Sequence, residues 1–322
     1  MVSKKKVVVT GSAGYIGSWV VELLLDKGYF VIGVDNFLVG DDTHKKFRDN
    51  EDFVEIVGDI SDEATWLRAF KYKPQYVINL AGIVGDPACL NDLKRSFKVN
   101  AEASEIGARV ANVYNVKKFI HASTCSIYGN QKGVLDEKSP QTPVDFYGQT
   151  KLSAERLVER QLPIETRIFL RFGTAYGFSN RMRFDLVVNS LTRKGYWDKN
   201  LTIFGTGKQR RPFTHCYDLA RACVFFVEND SYLGVFNVVG ENFEIGEIAK
   251  LINNDLDDVS LENIEKMEDF RDYEVTSNVL TALGFEFKFN VKRGIHEIIQ
   301  KFKNNELLEC KEDKYYNDKL GA

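Results

Sequence analysis

The chain has 322 residues, 44% of them hydrophobic, with a formal net charge of −3, enough for one large α/β domain plus a smaller region and for a core that needs no disulfide or metal. Acidic and basic residues are mixed along the whole length without a basic stripe, which argues against nucleic acid as a partner. No apolar stretch approaches membrane-spanning length, and Lys4-Lys5-Lys6 runs straight into a strand without a signal-like apolar region, so a cytoplasmic protein with no membrane contact is expected.

The first half alternates strands with helices. Val7-Val8-Val9-Thr10 predicts a strand, and glycines and a helical pattern over 15–27 follow. Apolar runs at 29–34, 53–57 and 76–80 come next, then a long helix over about 92–115, a strand at 117–122, a helix over 147–161 and a strand at 164–171. Continuous apolar strands separated by helices read as a parallel sheet buried on both faces. After Arg171 the rhythm changes. Residues 180–194 look helical, 202–204 form a short strand, 218–229 a helix, 235–239 a strand and 291–302 a late helix. The fold class is therefore α/β: a Rossmann-type doubly wound parallel sheet with a smaller mixed α/β lobe. The charged last dozen residues read as a loose tail. The five cysteines (Cys89, Cys125, Cys216, Cys223, Cys310) are scattered, with no CxxC and no adjoining histidines, so neither a metal site nor a disulfide framework is expected.

Gly11-Ser12-Ala13-Gly14-Tyr15-Ile16-Gly17 follows the first strand with the spacing G-x-x-G-x-x-G. Such glycines make a tight turn, let backbone approach a pyrophosphate, and place phosphate at the positive end of a helix. Asp35 ends the second strand, where an acid meets the adenosine ribose hydroxyls and repels a 2′-phosphate. Strand, loop, helix, strand and acid in that order point to NAD rather than NADP.

Tyr147 and Lys151 stand four residues apart at the start of a predicted helix, hence on one face. A free phenol, with a pKa of about 10, is a poor base at neutral pH, and a nearby ammonium lowers that value. Ser123-Thr124-Cys125-Ser126-Ile127-Tyr128-Gly129 follows the strand at 117–122. Ligands of open α/β sheets lie beyond the carboxyl ends of the strands, so hydroxyls there can donate to a substrate oxygen.

These segments, together with Gly58-Asp59-Ile60, Asn79-Leu80-Ala81-Gly82 and Val99-Asn100 in that order, resemble the extended short-chain dehydrogenases, specifically the NAD-dependent epimerase/dehydratase group. The resemblance covers most of the chain and implies the following roles. The cofactor-binding set is Gly11, Gly14, Tyr15, Ile16, Gly17, Asp35 with Asn36 beside it, Asp59 and Ile60 at the adenine, Leu80, Ala81 and Gly82 along the strand end, and Asn100, whose part is largely structural. Lys151 holds the nicotinamide ribose, Tyr147 is the base at the sugar hydroxyl, and Thr124 shares that hydroxyl's hydrogen bond. Arg211, in Gly205-Thr206-Gly207-Lys208-Gln209-Arg210-Arg211, and Arg271 match arginines that grip a substrate diphosphate, a task suited to a planar guanidinium. Arg181 and Arg183 are further candidates to reach the substrate, and Cys125, Ser126 and Thr174 fall at positions near the sugar. The cofactor domain is expected over 1–175 with 213–240 returning to it, and the nucleotide-sugar lobe over 176–212 and 241–322. A homodimer through the helices at 92–115 and 147–161 is implied as well.

Three reactions of this family begin with Tyr147 removing a proton from a sugar hydroxyl. Its 4,6-dehydratases usually carry an Asp-Glu pair after the reacting threonine, where this chain has Cys125 and Ser126; small residues there suit a nucleotide-sugar 4-epimerase working through a transient 4-keto intermediate. Thr174 in an asparagine's place, Pro212 in an aspartate's and the unusual loop at 84–89 keep a C4 dehydrogenase and an atypical dehydratase open as alternatives. A catalytically silent NAD-binding sensor is the alternative from another class, and the presence of Thr124, Tyr147 and Lys151 speaks against it.

Overall fold

The computed structural model describes residues 4–40, 42–264 and 271–320. Its main sheet has seven parallel strands: β1 (Lys6–Thr10), β2 (Phe30–Asp35), β3 (Phe53–Val57), β4 (Tyr76–Asn79), β5 (Lys118–Thr124), β6 (Arg167–Phe172) and β7 (Gly234–Val238). Their order is β7-β6-β5-β4-β1-β2-β3, with the direction of winding reversing between β1 and β4. The doubly wound sheet read from the sequence is thus the observed one.

Successive side chains of a strand point to opposite faces, and both faces here are apolar. Val7, Val9, Val31, Ile120 and Leu170 share a core with helices α1 (Gly17–Asp26) and α4 (Cys216–Glu228). Val8, Ile32, Val77, Phe119 and Phe169 share another with the helix Glu63–Phe70 and with α2 (Ala103–Val113) and α3 (Phe146–Gln161). The second lobe holds a small sheet of Glu241–Glu244, Arg210–His215 and Thr174–Tyr176, and a parallel pair of Asn200–Phe204 with Ser260–Ile264. Val188, Leu191, Leu201, Ile248, Ile252 and Ile295 form its core.

Three segments differ from the sequence expectation. The helix expected over 92–115 is divided into Leu93–Phe97, a π turn at Lys98–Glu102, and α2. The wider turn carries Asn100, whose side chain accepts from Ile83 N at 2.8 Å and donates to Ile83 O at 2.9 Å, so helical regularity yields to a tertiary bond. Of the helix expected over 180–194 only Val187–Arg193 forms. Upstream, Arg183 is held by Asp185, and Asn189 Nδ2 donates to Arg183 O at 2.9 Å, a carbonyl that a helix would need for itself. The tail is not loose over 311–320. Short turns at Asp313–Tyr315 and Asn317–Lys319 dock on the body, with Phe184 N donating to Tyr315 O at 2.8 Å and Asn91 Nδ2 to Asp318 O at 2.9 Å.

Candidate active site

A cleft of about 960 Å³ opens at the carboxyl ends of the strands, between the main sheet and the second lobe. A sheet whose strand order reverses leaves such a crevice at the reversal. Every site residue picked from the sequence reaches its wall except Cys125 and Asn100. Asn100 sits behind the wall, holding Ile83 and donating to Thr150 Oγ1 at 3.1 Å. Cys125 is a correction: it is buried away from the cleft, its thiol donating to Arg171 O at 3.3 Å. It opens the 3-10 turn Cys125–Tyr128 after the strand, and there its side chain packs against β6.

The glycine loop is shaped by close approach. Gly11 has φ +66°, and a Cβ there would lie 2.9 Å from the backbone of Ala81; at Gly17 one would lie 2.0 Å from Gly11 O. The loop therefore packs backbone on backbone and leaves its outer side open to a ligand. Asp35 Oδ2 accepts from Ala13 N and Oδ1 from Phe37 N, both at 2.9 Å, which fixes the carboxylate at the rim. Burial pushes that carboxyl up and these hydrogen bonds pull it back. Among the described residues, Ser123 Oγ, Arg181 Nε and Gln209 Oε1 are buried without a hydrogen-bond partner, and all three residues line the cleft. Buried polar atoms normally have partners. A backbone cradle, an acid at the ribose position and orphaned polar atoms fit a dinucleotide together with a second polar ligand.

The candidate reacting residues Thr124, Tyr147 and Lys151 come together in the cleft wall by the end of β5. Tyr147 and Thr124 both line the cleft there, and Thr124 Oγ1 accepts from Ser126 N at 3.2 Å, fixing the turn. Burial dominates the phenol and pushes it up; Cys89 adds to this, while the Arg183 guanidinium and the Thr124 hydroxyl act against it. The sequence led us to expect Lys151 as the cation acting on Tyr147, and the stronger one here is Arg183. Burial pushes the Lys151 ammonium down to about 8, with Cys89 and Glu155 opposing.

The start of α3 carries two carboxylates. Asp145 Oδ1 accepts from Gly148 N at 2.6 Å, and Asp86 Oδ1 accepts from Phe146 N at 3.0 Å and Tyr147 N at 3.3 Å. Together they satisfy orphan N–H groups of the first turn and so fix the helix that presents Tyr147 and Lys151. Arg271 donates to Asp145 Oδ2 at 3.0 Å. Asp86 was missed as a cap. The loop at 84–89 stood out in the sequence, but its partner is 60 residues away and leaves no local signal.

Fold and cleft together define a dinucleotide-dependent enzyme with Thr124, Tyr147 and Lys151 in the wall of its cleft. The chain belongs to the NAD-dependent epimerase/dehydratase family, whose model matches residues 7–246, and its cofactor is NAD. It is 31% identical over 256 residues to an uncharacterised UDP-glucose epimerase of Bacillus subtilis (strain 168), covering 75% of this chain and 76% of the relative. It is 31% identical over 228 residues to the UDP-glucuronate 4-epimerase of Thermodesulfobacterium geofontis (strain OPF15), covering 67% and 70% respectively. Among solved structures, the UDP-glucuronic acid 4-epimerase from Bacillus cereus, in complex with UDP-glucuronic acid and NAD, is similar with a TM-score of 0.82 at 28% identity, over 93% of this chain and 99% of that one. Among the described residues no helix is long and apolar enough to cross a membrane.

Proposed function

We propose that the protein is an NAD-dependent nucleotide-sugar 4-epimerase, oxidising the sugar C4 hydroxyl to a transient 4-keto group and reducing it again from the other face. Bound NAD supplies the acceptor that takes up the C4 hydrogen with its electron pair and gives it back. Gly11, Gly14, Gly17 and Asp35 would hold it, with Tyr15, Ile16, Asn36, Asp59, Ile60, Leu80, Ala81 and Gly82 along its length. Tyr147 takes the C4 hydroxyl proton and later returns it, Thr124 orients that oxygen, and Lys151 holds the cofactor ribose and keeps positive charge beside the phenolate. Arg211 and Arg271 are placed to bind the diphosphate, and Ser126 and Thr174 the sugar.

The observation that carries this reading is that no carboxylic acid stands at the two positions directly after Thr124. Cys125 faces the protein interior with its thiol pushed up by burial, and Ser126 beside it offers only a hydroxyl. Neither position supplies the acid and base that the family's dehydratases carry directly after the threonine, which supports return of the 4-keto group to a hydroxyl. The similarity to UDP-sugar epimerases supports a uridine diphosphate carrier.

Proton NMR of products from UDP-, GDP-, CDP- and dTDP-sugars, incubated without added cofactor, tests this. A sugar inverted at C4 with no net nicotinamide reduction is the expected result. Accumulation of a keto sugar would instead indicate a C4 dehydrogenase, and loss of the C6 oxygen a dehydratase. We also propose a cytoplasmic homodimer; Leu90, Leu93 and Val113 are exposed on helices near that surface, and sedimentation showing only monomer at micromolar concentration would sink the dimer.

A further inference from the structure

The C-terminal residues docked on the cleft have no part in the reaction described above. Tyr316, Asn317, Asp318 and Leu320 line the cleft wall, and residues 313–320 connect its two sides. On the lobe side Tyr315 O accepts from Phe184 N at 2.8 Å. On the sheet side Asn317 Nδ2 donates to Val84 O at 3.5 Å and Asp318 O accepts from Asn91 Nδ2 at 2.9 Å. Tyr315 and Tyr316 belong to the same apolar cluster as Tyr15 and Ile16 of the glycine loop.

This segment also holds Arg181. The guanidinium NH2 donates to Asn317 Oδ1 at 2.8 Å and to Lys314 O at 3.3 Å, while its buried Nε has no partner among the described residues. The loop that carries Arg181 is stitched to the glycine loop. Tyr15 OH donates to Gly177 O at 2.6 Å, Ser179 Oγ to Tyr15 O at 2.7 Å, and Trp19 Nε1 to Phe178 O at 3.1 Å. These bonds put Arg181 on the glycine-loop side of the cleft, where burial and Arg183 oppose its charge and Asp185, Tyr15 and Asp35 favour it. A cation there, with one donor free, suits the anionic oxygens of a dinucleotide better than a neutral sugar ring.

We propose that residues 313–320 form a strap across the cleft mouth that holds Arg181 as a cofactor-binding residue and slows the release of NAD. The proposal rests on NAD occupying the cleft and not on which sugar is epimerised. It also fits an enzyme that must regain its cofactor within each turnover, for which retention of NAD would be required.

The test measures how fast NAD leaves the loaded full-length protein, with released NAD consumed by an excess of a coupled alcohol dehydrogenase. Loss of one charge-assisted hydrogen bond predicts release roughly tenfold faster in Arg181→Gln. Asn317→Ala, which removes one of the strap's two contacts with that arginine and its bond to Val84 O, should move release in the same direction by a smaller factor. Lys311→Ala, whose side chain pairs with Glu309 at the surface, is the control and should leave the rate unchanged. Melting of the unloaded variants checks their folding, and Asn317→Ala carries the test if Arg181→Gln folds poorly. Unchanged release in both variants would overturn the strap, as would a raised sugar KM with unchanged release, which would place Arg181 on the substrate. A wild type that takes up no NAD would overturn the cofactor reading itself, a result distinct from both.

Discussion

Arg271 and Asp145 form an ion pair at 3.0 Å, and the same carboxylate caps Gly148 N at 2.6 Å through its other oxygen. An arginine proposed for the substrate diphosphate is thereby tied to the first turn of the helix that carries Tyr147 and Lys151. Arg271→Ala should raise KM by about tenfold, the loss of one charged hydrogen bond, and lower kcat by a smaller factor as the cap loosens. Steady-state kinetics with the substrate identified by NMR reads both. Asp145→Ala removes the cap outright and should cost about 0.5–2 kcal/mol in urea unfolding.

Tyr147→Phe keeps the ring packing and removes the proton acceptor. Turnover should fall on the order of 10²–10⁴-fold, the usual contribution of a positioned acid–base group. The NAD content of the purified protein should stay as in the wild type. Retention of substantial turnover would remove Tyr147 from the proposed mechanism.

Lys151 is held below its unfolded pKa by burial, at about 8. Between about pH 8 and pH 10.4, the unfolded chain binds a proton at this site that the folded, unloaded protein does not, so stability gains with rising pH across that window. Below it the lysine is charged in both states and the cost of burying the charge is fully present. Lys151→Met should therefore be inactive yet more stable than the wild type at pH 7, by on the order of 1–3 kcal/mol. The gap should narrow toward pH 10, and urea titrations at several pH values would show a constant gap if burial of this charge were not the cause.

Glu155 on α3 and Arg171 on β6 are both buried and paired through two hydrogen bonds of 3.1 and 2.8 Å. Arg171 also donates to Tyr128 OH and Glu137 O. Glu155→Ala leaves a guanidinium uncompensated in the core and should destabilise by about 3–5 kcal/mol. A urea midpoint close to that of the wild type would show that Tyr128 and Glu137 suffice.

Much of the fold was written locally. Val7-Val8-Val9, the glycine spacing and Asp35 identify strand, turn and rim because a buried strand, a tight phosphate loop and a strand-end acid each demand particular residue types in adjacent positions. The Tyr147/Lys151 pair was legible for the same reason: helical periodicity puts both on one face. What depended on distant partners was not. The turn at Asn100 is wide because Ile83 must be held, the segment before Val187 is unwound because Asn189 claims a helical carbonyl, and Asp86 caps a helix that begins 60 residues later. Cys125 looked like a wall residue by position, and the 3-10 turn after the strand directs it inward to the Arg171 carbonyl. The charged tail looked loose because its composition is polar, whereas its anchors are single hydrogen bonds to Phe184, Asn91 and Arg181 that no local pattern encodes. Sequence alone determined most elements of the main sheet and which residue types stand at its strand ends, since propensity and spacing act over a few residues. Only tertiary structure decided which side of the cleft each charge serves, because that follows from bonds between segments far apart in the chain.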